Sequence, residues 1–412
     1  MNNSARILIL GAGHAGGTLA SVLRERGHTG PITLVGDDPH PPYNRPPLSK
    51  AYIQGATELD ALLLKTPGYY QQQRIDLLTG VTATAIDRLA REVTLDDGRR
   101  LVYDKLILAT GARPRELSIE GMHLNNVLAL RTAEDAEQLR TRFTEHGGHA
   151  VLIGGGYIGL ELAASAIKMG LSVTVIERES RLLARVASEP LSQFFQQEHE
   201  GHGVRFVLAT EALELLGTEH IEGVRLSNGE TLSCDLVLVG AGVVANTELA
   251  AEAGLACDNG ILVDLHGQTN DPDIYAIGDV SNRPLPLYGQ RQARVESVPN
   301  AMEQARIAAA HLIGEQQPKP EVQWFWSDQY QYKLQIAGIA FECDQTLLRG
   351  DPASGKFSVL RLHRGVLQAA ECINSPVDFI GAKQLIASQL PLDPARLTDL
   401  SCKLKDSLPV TA

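Results

Sequence analysis

Cysteine is scarce in this sequence, and its placement argues against paired thiols. The 412 residues include five cysteines, which are widely spaced and form no C-x-x-C pair (Cys234, Cys257, Cys343, Cys372 and Cys402). An odd number of scattered cysteines indicates neither a disulfide framework nor a zinc site. We therefore expect a protein of a reducing compartment, with the cytoplasm as the default.

Long apolar runs and an excess of positive charge are also missing. No segment approaches the roughly 18 consecutive apolar residues that are typical of a membrane span. The apolar run at residues 7–10 stops at Gly11, so we interpret it as a buried strand and not as part of a signal peptide. The net charge of −12 argues against nucleic acid as the main partner, because phosphate binding requires a basic surface.

Glycine, by contrast, is abundant. The sequence has 38 glycines, 44% hydrophobic residues and 21% charged residues, a globular composition with the many tight turns that α/β enzymes need. A chain of this length can form two or three domains, each with its own core.

The first glycine cluster follows a short apolar strand and opens a helical stretch. It reads Gly11-x-Gly13-x-x-Gly16, and a second apolar strand at residues 32–35 ends at Asp37. In a dinucleotide site the first glycine makes the tight turn, the second lets the backbone approach a pyrophosphate, and the third allows close packing of helix on strand. An acid at the end of the second strand accepts hydrogen bonds from ribose hydroxyls.

The same unit occurs a second time. A strand at 150–153 leads into Gly154-x-Gly156-x-x-Gly159, a helix is predicted over 160–169, and a strand at 173–176 ends at Glu177. One such glycine motif is weak evidence, but two complete strand–glycine–helix–strand–acid units predict that the chain binds two dinucleotides.

Two further segments suggest which dinucleotides these are. An apolar strand closes on Thr110-Gly111, and another ends in Gly278-Asp279. Together with the first unit, they resemble the two-dinucleotide-binding flavoprotein reductases, which are glutathione-reductase-like. The resemblance implies FAD in the first unit, NAD(P)H in the second, and a hydrogen bond from the flavin ribityl chain to Asp279. The alternative role for Asp279 is that of a helix N-cap, and the two roles are compatible.

The order of these motifs predicts a discontinuous first domain. We expect an FAD-binding domain at 1–113 and 243–318, with an NAD-binding domain at 114–242 inserted into it. A polar, proline-containing stretch at 314–320 is interpreted as a linker, and 319–412 as a smaller C-terminal domain.

The predicted fold class is α/β, with two Rossmann-like dinucleotide-binding domains and a C-terminal α+β domain. In the C-terminal domain the apolar patterns predict strands at 334–339, 357–362 and 366–372 and a helix at 379–390.

Within the flavoprotein reductases, the chain resembles the ferredoxin reductases that serve bacterial aromatic-ring dioxygenases and haem-thiolate monooxygenases (a putidaredoxin-reductase-like group). The matching segments are Pro-Tyr-Asn-Arg-Pro-Pro-Leu-Ser-Lys at 42–50, Leu-Arg-Thr at 130–132, Gly-Gly-Gly-Tyr-Ile-Gly-Leu-Glu at 154–161, Glu-Ser-Val-Pro-Asn-Ala at 296–301 and Trp-Phe-Trp-Ser-Asp-Gln-Tyr at 324–330. Other relatives use a disulfide or a reactive cysteine beside the flavin. This chain has no cysteine before position 234, so we expect the flavin to pass electrons directly to an external acceptor.

The resemblance assigns cofactor-binding residues position by position. Those assigned to FAD are Gly11, Gly13, Ala15, Gly16, Asp37, Arg45, Lys50, Val81, Thr110, Gly111, Arg131, Gly278, Asp279 and Val298. Those assigned to NAD are Gly154, Gly156, Tyr157, Ile158, Glu161, Glu177 and Gly242.

Three side chains are candidates for a direct part in catalysis, each with a structural alternative. Lys50 stabilises the reduced, anionic flavin or is a solvated loop charge. The resemblance places Glu161 near the nicotinamide, where its carboxylate orients the carboxamide or balances Lys50; the alternative is a plain helix surface acid. The resemblance also places Trp326 against the flavin edge; the alternative is an ordinary core aromatic. No metal site is expected.

The cofactor choice depends on Glu177, because a carboxylate there favours the ribose hydroxyls of NADH and repels the 2′-phosphate of NADPH. Arg178 is a complication, but we expect the acid to dominate and NADH to be the donor.

The expected partner is a two-iron two-sulfur ferredoxin, and indirectly an oxygenase. Residues 319–412 contain ten basic and ten acidic residues, so this part is less negative than the rest and suits an acidic ferredoxin. Candidate docking cations are Lys383, Lys403, Lys405, Arg291, Arg294 and Arg306. The alternative functions are an NADH oxidase or rubredoxin-type reductase and, with less support, a signalling flavoprotein like the apoptosis-inducing factors.

Overall fold

The structure is a computed structural model that describes residues 3–145 and 147–408. The chain divides into two compact units. The first unit comprises Met1–Asn44, Leu59–Arg113 and Val244–Gln323, and the second comprises Arg45–Glu58, Pro114–Val243 and Trp324–Ala412. The three-domain division predicted above stays a prediction.

A five-stranded parallel sheet forms the centre of the first unit. In spatial order its strands are Ile274–Ala276, Lys105–Leu108, Ile7–Leu10, Ile32–Gly36 and Ile75–Thr79. All four residues of the Ile7–Leu10 strand are buried, as expected for a central parallel strand that is covered on both faces.

Alternate residues of that central strand point into two different cores. Ile7 and Ile9 pack with Leu19 of the helix His14–Glu25 and with the helix Val298–Ile313. Leu8 and Leu10 face the opposite core, which is shared with a three-stranded antiparallel sheet.

The remaining elements of the first unit are the strands Ala83–Asp87, Glu92–Leu95, Arg100–Val102, Ile261–Leu262, Ser281–Leu285 and Arg291–Arg294, the helices Pro67–Gln72 and Glu248–Glu252, and the 3-10 turns Leu59–Leu62, Gly278–Val280 and Pro286–Tyr288.

The second unit repeats this plan around its own parallel sheet. The strand order is Arg205–Val207, Ser172–Ile176, His149–Ile153, Leu236–Val239 and Val127–Leu128. The helices are Ala133–Glu145, Tyr157–Lys168 and Glu189–Gly201, and an antiparallel sheet is formed by Ala212–Gly217, Ile221–Leu226 and Thr231–Ser233. Short strands at Ala112–Pro114 and Val243–Ala245 lie where the chain passes from one unit to the other.

The C-terminal part of the second unit is an antiparallel sheet with a helix against it. Its strands are ordered Trp324–Gln329, Tyr332–Gly338, Val366–Ile373, Lys356–His363 and Gln345–Asp351. The main helix is Pro376–Ser388, a shorter helix is Pro394–Thr398, and 3-10 turns are found at Pro352–Ser354 and Leu404–Ser407. Elsewhere in the second unit, a 3-10 turn is found at Pro46–Ser49. The α+β character predicted for this part is therefore confirmed.

The element bounds differ from the sequence predictions in this C-terminal part. The helix begins at Pro376, three residues before the predicted start, because proline is well accommodated in a first helical turn. It ends before Gln389, which has a left-handed φ of 54°. Two strands were not predicted, Trp324–Gln329 and Gln345–Asp351. Within the described residues, no helix is long and apolar enough to cross a membrane.

Candidate functional site

The first glycine loop has the geometry that a dinucleotide cradle requires. Gly11 has a φ of 111°, and a Cβ on it would lie 2.1 Å from the carbonyl oxygen of Ala109. A Cβ on Gly16 would lie 2.1 Å from the carbonyl oxygen of Gly11. At Gly13, no described atom lies within 4 Å of where a Cβ would be, so this position faces open space at the start of the helix.

That helix start is suited to an anion. Gly13 is the N-cap of His14–Glu25, and among the described residues no side chain caps the free N–H groups of the first turn. Uncapped N–H groups and the positive end of the helix dipole favour a phosphate group. The residues present therefore fit the pyrophosphate of FAD.

Other predicted FAD residues lie at the same edge of the sheet. The strands before Thr110 and Gly278 run parallel to Ile7–Leu10, with Leu108 in register with Leu10. A Cβ on Gly278 would lie 2.9 Å from the Cβ of Ala15. Ligands of such sheets bind at the carboxyl ends of the strands.

Asn246, which the sequence analysis missed, fixes the turn at Thr110 and Gly111. Its side-chain amide donates to the carbonyl oxygen of Thr110 at 2.8 Å, and the Thr110 hydroxyl donates to the carbonyl oxygen of Asn246 at 2.8 Å. The Asn246 N–H also donates to the carbonyl oxygen of Gly111. No local pattern in the sequence links positions 110 and 246.

Asp37 follows the strand Ile32–Gly36 and has an exposed side chain at the same edge. Val81 lies beside it in the fold, because its N–H donates to the carbonyl oxygen of Gly36 at 3.0 Å. An exposed carboxylate at this strand end is placed as a ribose-binding acid requires.

Asp279 is not a helix N-cap, so that alternative is wrong. It lies inside the 3-10 turn Gly278–Val280, whose N-cap residue is Ile277. Its side chain is half-buried. Val298, also assigned to FAD, is the first residue of the helix Val298–Ile313, which Ser297 caps through its side chain.

The second glycine loop repeats the first. Gly154 has a φ of 110°, and a Cβ on it would lie 2.5 Å from the carbonyl oxygen of Gly240. Gly156 is the N-cap of Tyr157–Lys168, and a Cβ there would meet no described atom within 4 Å. A Cβ on Gly159 would lie 2.4 Å from the carbonyl oxygen of Gly154. The second loop thus fits a second pyrophosphate, as the duplicated motif predicted.

Glu177 is oriented by the loop that it follows. Its carboxylate accepts hydrogen bonds from the N–H of Gly155 at 2.7 Å and from that of Glu179 at 2.9 Å. Arg178 points elsewhere: its side chain is 67% exposed and pairs with Glu179 at 3.5 Å and Glu211 at 4.0 Å.

Gly242, the remaining glycine assigned to NAD, lies in a turn after the parallel strand Leu236–Val239 and has a φ of 88°. A Cβ on it would lie 3.5 Å from Nη2 of Arg185.

Tyr157 and Ile158 begin the second-loop helix and face different ways. The Tyr157 ring makes an edge contact with Phe325, with ring centroids 4.9 Å apart, and burial raises the pKa of its hydroxyl well above the usual value. Ile158 is 48% exposed, so its side chain is accessible at the start of the helix.

Lys50 and Glu161 form an ion pair inside the second unit, with Nζ 2.8 Å from Oε2. Their side chains are only 19% and 7% exposed. Lys50 is therefore not a solvated loop charge, and Glu161 is not a surface acid; of the three roles considered for Glu161, pairing with Lys50 is observed.

Two serines that the sequence analysis missed complete this cluster. Ser49 donates to Oε2 of Glu161 and Ser327 donates to Oε1, each at 2.6 Å. They lie 112 and 166 residues from Glu161 in the chain, so no local signal could have identified them.

Trp326 lies on the strand Trp324–Gln329 and is half-buried, so both roles considered for it stay predictions. Its ring centroid is 5.6 Å from that of Trp324.

Two arginines assigned to FAD also lie in the second unit. Arg45 precedes the 3-10 turn Pro46–Ser49. The backbone N–H of Arg131 donates to the carboxylate of Asp135 at 2.8 Å.

The candidate docking cations are not equally available. Arg306 pairs with Glu321 at 2.8 Å, and Arg294 pairs with Glu296 at 2.5 Å. Lys383 lies over the ring of Trp324, with Nζ 5.4 Å from the centroid, whereas Lys403 and Lys405 are exposed.

The cysteines are poorly suited to thiol–disulfide chemistry. All five are free. Burial raises the pKa of the Cys234 and Cys372 thiols to about 12, and it also raises those of Cys257 and Cys343. Because the thiolate is the reactive form, these four side chains are held in their inert state.

Comparison with known proteins agrees with this geometry over the whole chain. A family model described as pyridine nucleotide-disulphide oxidoreductase matches residues 5–305, and one described as reductase C-terminal matches residues 324–408. A probable ferredoxin reductase of Castellaniella defragrans is 45% identical over 97% of this chain and 98% of the relative. The putidaredoxin reductase of Pseudomonas putida is 42% identical over 98% of this chain and 97% of the relative.

A solved structure, the covalent putidaredoxin reductase–putidaredoxin complex, matches with a TM-score of 0.96 at 42% identity and covers 99% of each chain. The chain therefore belongs to the pyridine nucleotide-disulphide oxidoreductases. Within that family it groups with the ferredoxin reductases, and it is an oxidoreductase that uses FAD and NAD(P)H.

Proposed function

We propose that this chain oxidises NADH and passes the electrons, through FAD, to a small two-iron two-sulfur ferredoxin that serves an oxygenase. The observation that carries the proposal is the pair of matching glycine loops. Gly13 and Gly156 each face open space at an uncapped helix start within the described residues. Two such cradles on parallel sheets support the simultaneous binding of two dinucleotides.

The first unit is proposed to hold FAD. Gly11, Gly13 and Gly16 shape the pyrophosphate cradle, Asp37 accepts from the adenosine ribose, and Asp279 accepts from the ribityl chain. Bound FAD supplies the redox chemistry, since it accepts two electrons from the nicotinamide and releases them singly. The task of the protein is then to bind, to orient and to adjust the local charge.

The second unit is proposed to hold NADH and to prefer it over NADPH. The carboxylate of Glu177 is fixed at the strand end by two backbone N–H groups, which leaves lone pairs for ribose hydroxyls. Arg178 is the residue that would favour a 2′-phosphate, but it already pairs with Glu179 and Glu211. We therefore assign NADH as the donor.

Lys50 and Glu161 are proposed to set the charge next to the reacting rings. Because the pair is largely buried, its orientation is fixed by Ser49 and Ser327 and is not averaged by solvent. A fixed ammonium group of this kind would favour the reduction of a bound cofactor that gains negative charge.

The acceptor is proposed to be a ferredoxin. The similar proteins are named as ferredoxin reductases, and one similar structure is a complex with putidaredoxin. The inert thiols of this chain favour direct electron transfer to a partner over a disulfide relay. We also propose that the protein acts in the cytoplasm, where its five free cysteines would stay reduced.

The test is a comparison of acceptors under anaerobic and aerobic conditions. With NADH as donor, we expect rapid reduction of a two-iron two-sulfur ferredoxin and slow consumption of oxygen. Fast oxygen consumption without ferredoxin reduction would identify an NADH oxidase, and preferential reduction of rubredoxin would identify a rubredoxin-type reductase. Retarded DNA in a gel-shift assay would support the signalling alternative.

A further inference from the structure

The ion pair of Lys50 and Glu161 is the end of a longer buried chain of hydrogen bonds. Ser327, which donates to Glu161, itself accepts from the side-chain amide of Gln329 at 3.2 Å. The amide oxygen of Gln329 is 2.8 Å from Nε2 of His199, and Nδ1 of His199 is 2.9 Å from the hydroxyl of Tyr330. All of these residues lie in the second unit.

The inner members of the chain are almost completely withdrawn from solvent. His199 and Ser327 are 0% exposed and Gln329 is 1% exposed. Burying polar groups is unfavourable unless each one finds a partner. A run of paired polar side chains in the core therefore indicates a purpose beyond packing, since apolar residues would fill the same volume without this constraint.

The direction of the hydrogen bonds is set by chemistry at both ends. Burial lowers the pKa of His199 to about 4, so its ring is neutral at pH 7. Because Nε2 faces a carbonyl oxygen of Gln329, Nε2 carries the proton, and Nδ1 accepts from Tyr330. Gln329 then donates to Ser327 and Ser327 donates to Glu161, so every donor points toward the carboxylate.

The backbone at the outer end is held in an uncommon conformation. Tyr330 has a φ of 53°, which is rare for a bulky residue. In this conformation its ring stacks on His202, with centroids 3.8 Å apart, while its hydroxyl reaches His199. Gln329 and Tyr332 are paired across the hairpin, so Tyr330 lies in a two-residue loop that requires this φ, and the turn itself fixes where its ring and hydroxyl lie.

We infer that His199 and Gln329 are positioning residues, which act through Ser327 to fix the carboxylate of Glu161 for the nicotinamide end of the bound dinucleotide. The chain does not conduct protons, because the amide of Gln329 interrupts it. Its effect is to aim donors at Glu161 and to tie the helix Tyr157–Lys168 to the strand that carries Trp326. The inference rests on the proposed binding of NADH by the second unit.

The test separates binding of the nicotinamide from binding of the rest of the dinucleotide. Affinities of the oxidised holoenzyme for NAD+ and for ADP-ribose, which lacks the nicotinamide ring, are measured by calorimetry. The variants are Ser327→Ala, Gln329→Met and the double variant. Ser358→Ala is the matched control, because Ser358 is also a fully buried serine that donates to a carboxylate, that of Asp378.

We expect Ser327→Ala and Gln329→Met each to weaken NAD+ binding by up to about tenfold, the ratio that corresponds to one hydrogen bond. ADP-ribose affinity should stay within about twofold of wild type. The double variant should resemble the single variants, since Gln329 acts through Ser327. The inference is overturned if the variants bind NAD+ as the control does, if both ligands are weakened alike, or if the two substitutions are additive. Failure of the wild-type protein to bind either ligand would instead refute the proposed function.

Discussion

Replacing Glu161 with glutamine tests whether the buried charge pair is a real constraint on the second unit. The Glu161 side chain is 7% exposed and accepts from Ser49 and Ser327, and the Lys50 ammonium lies 2.8 Å away. Glu161→Gln keeps the shape but leaves Lys50 without its counter-ion. Removing one partner of a fully buried pair costs about 3–5 kcal/mol. Because Lys50 keeps some contact with solvent, we expect a loss of about 2–3 kcal/mol in the free energy of unfolding of the second unit.

Tryptophan fluorescence can follow this unit selectively. The two tryptophans of the chain, Trp324 and Trp326, both lie in the second unit, so urea unfolding reports on the environment of the pair. The control is Glu230→Gln, which breaks an exposed ion pair with Arg205 in the same unit. Exposed pairs contribute at most about 1 kcal/mol.

The reasoning would be refuted if Glu161→Gln cost no more than Glu230→Gln. Adding Lys50→Met to Glu161→Gln should restore most of the lost stability, because the uncompensated charge is then removed as well. Persistence of the full loss in the double variant would show that the serine contacts, and not the charge pair, dominate.

Four further outcomes are expected. Asp279→Ala should lose FAD during gel filtration, since removing an acceptor and leaving its donor unpaired costs about 1–3 kcal/mol; full flavin absorbance at unchanged stability would count against the ribityl assignment. Glu177→Ala should raise the Michaelis constant for NADH and reduce the preference of the enzyme for NADH over NADPH, because the carboxylate that binds the ribose hydroxyls is removed. A wild-type preference for NADPH would contradict our interpretation of Glu177. Burial lowers the pKa of His199 to about 4, against 6.5 in the unfolded chain. Between these two pH values the unfolded state binds a proton that the folded state does not bind. The free energy of unfolding of the second unit therefore falls as the pH is lowered from 6.5 to about 4. His199→Gln should show a shallower fall in urea midpoint over the same window, and equal slopes would refute this. Lys405→Glu should slow ferredoxin reduction at low salt and leave ferricyanide reduction unchanged; equal ferredoxin rates across a salt series would show that docking is not electrostatic at this position.

The glycine loops could be predicted from sequence because their constraints are local. Gly11 and Gly154 need a positive φ, and each lies within a few residues of the strand and helix that it joins. The acids after the second strands, Asp37 and Glu177, follow from the same short repeat. The spacing of the glycines and acids along the chain was sufficient to predict these positions.

The contacts around Glu161 could not be predicted because they are made between residues far apart in the chain. Ser49 and Ser327 reach Glu161 from opposite ends of the sequence, and His199 lies 130 residues from Gln329. No periodic pattern records which polar side chains meet in a core. The N-cap alternative for Asp279 was wrong for a related reason: it assumed that a helix begins there, whereas the chain makes a single 3-10 turn.

The most direct test of the central claim is a sequential anaerobic stopped-flow experiment. The flavin of the purified protein is first reduced with one equivalent of NADH and is then mixed with oxidised two-iron two-sulfur ferredoxin. The account predicts that NADH bleaches the flavin and that the oxidised flavin spectrum returns on mixing, with two ferredoxins reduced per NADH consumed. Flavin that stays reduced in the presence of ferredoxin and is reoxidised only when oxygen is admitted would contradict it.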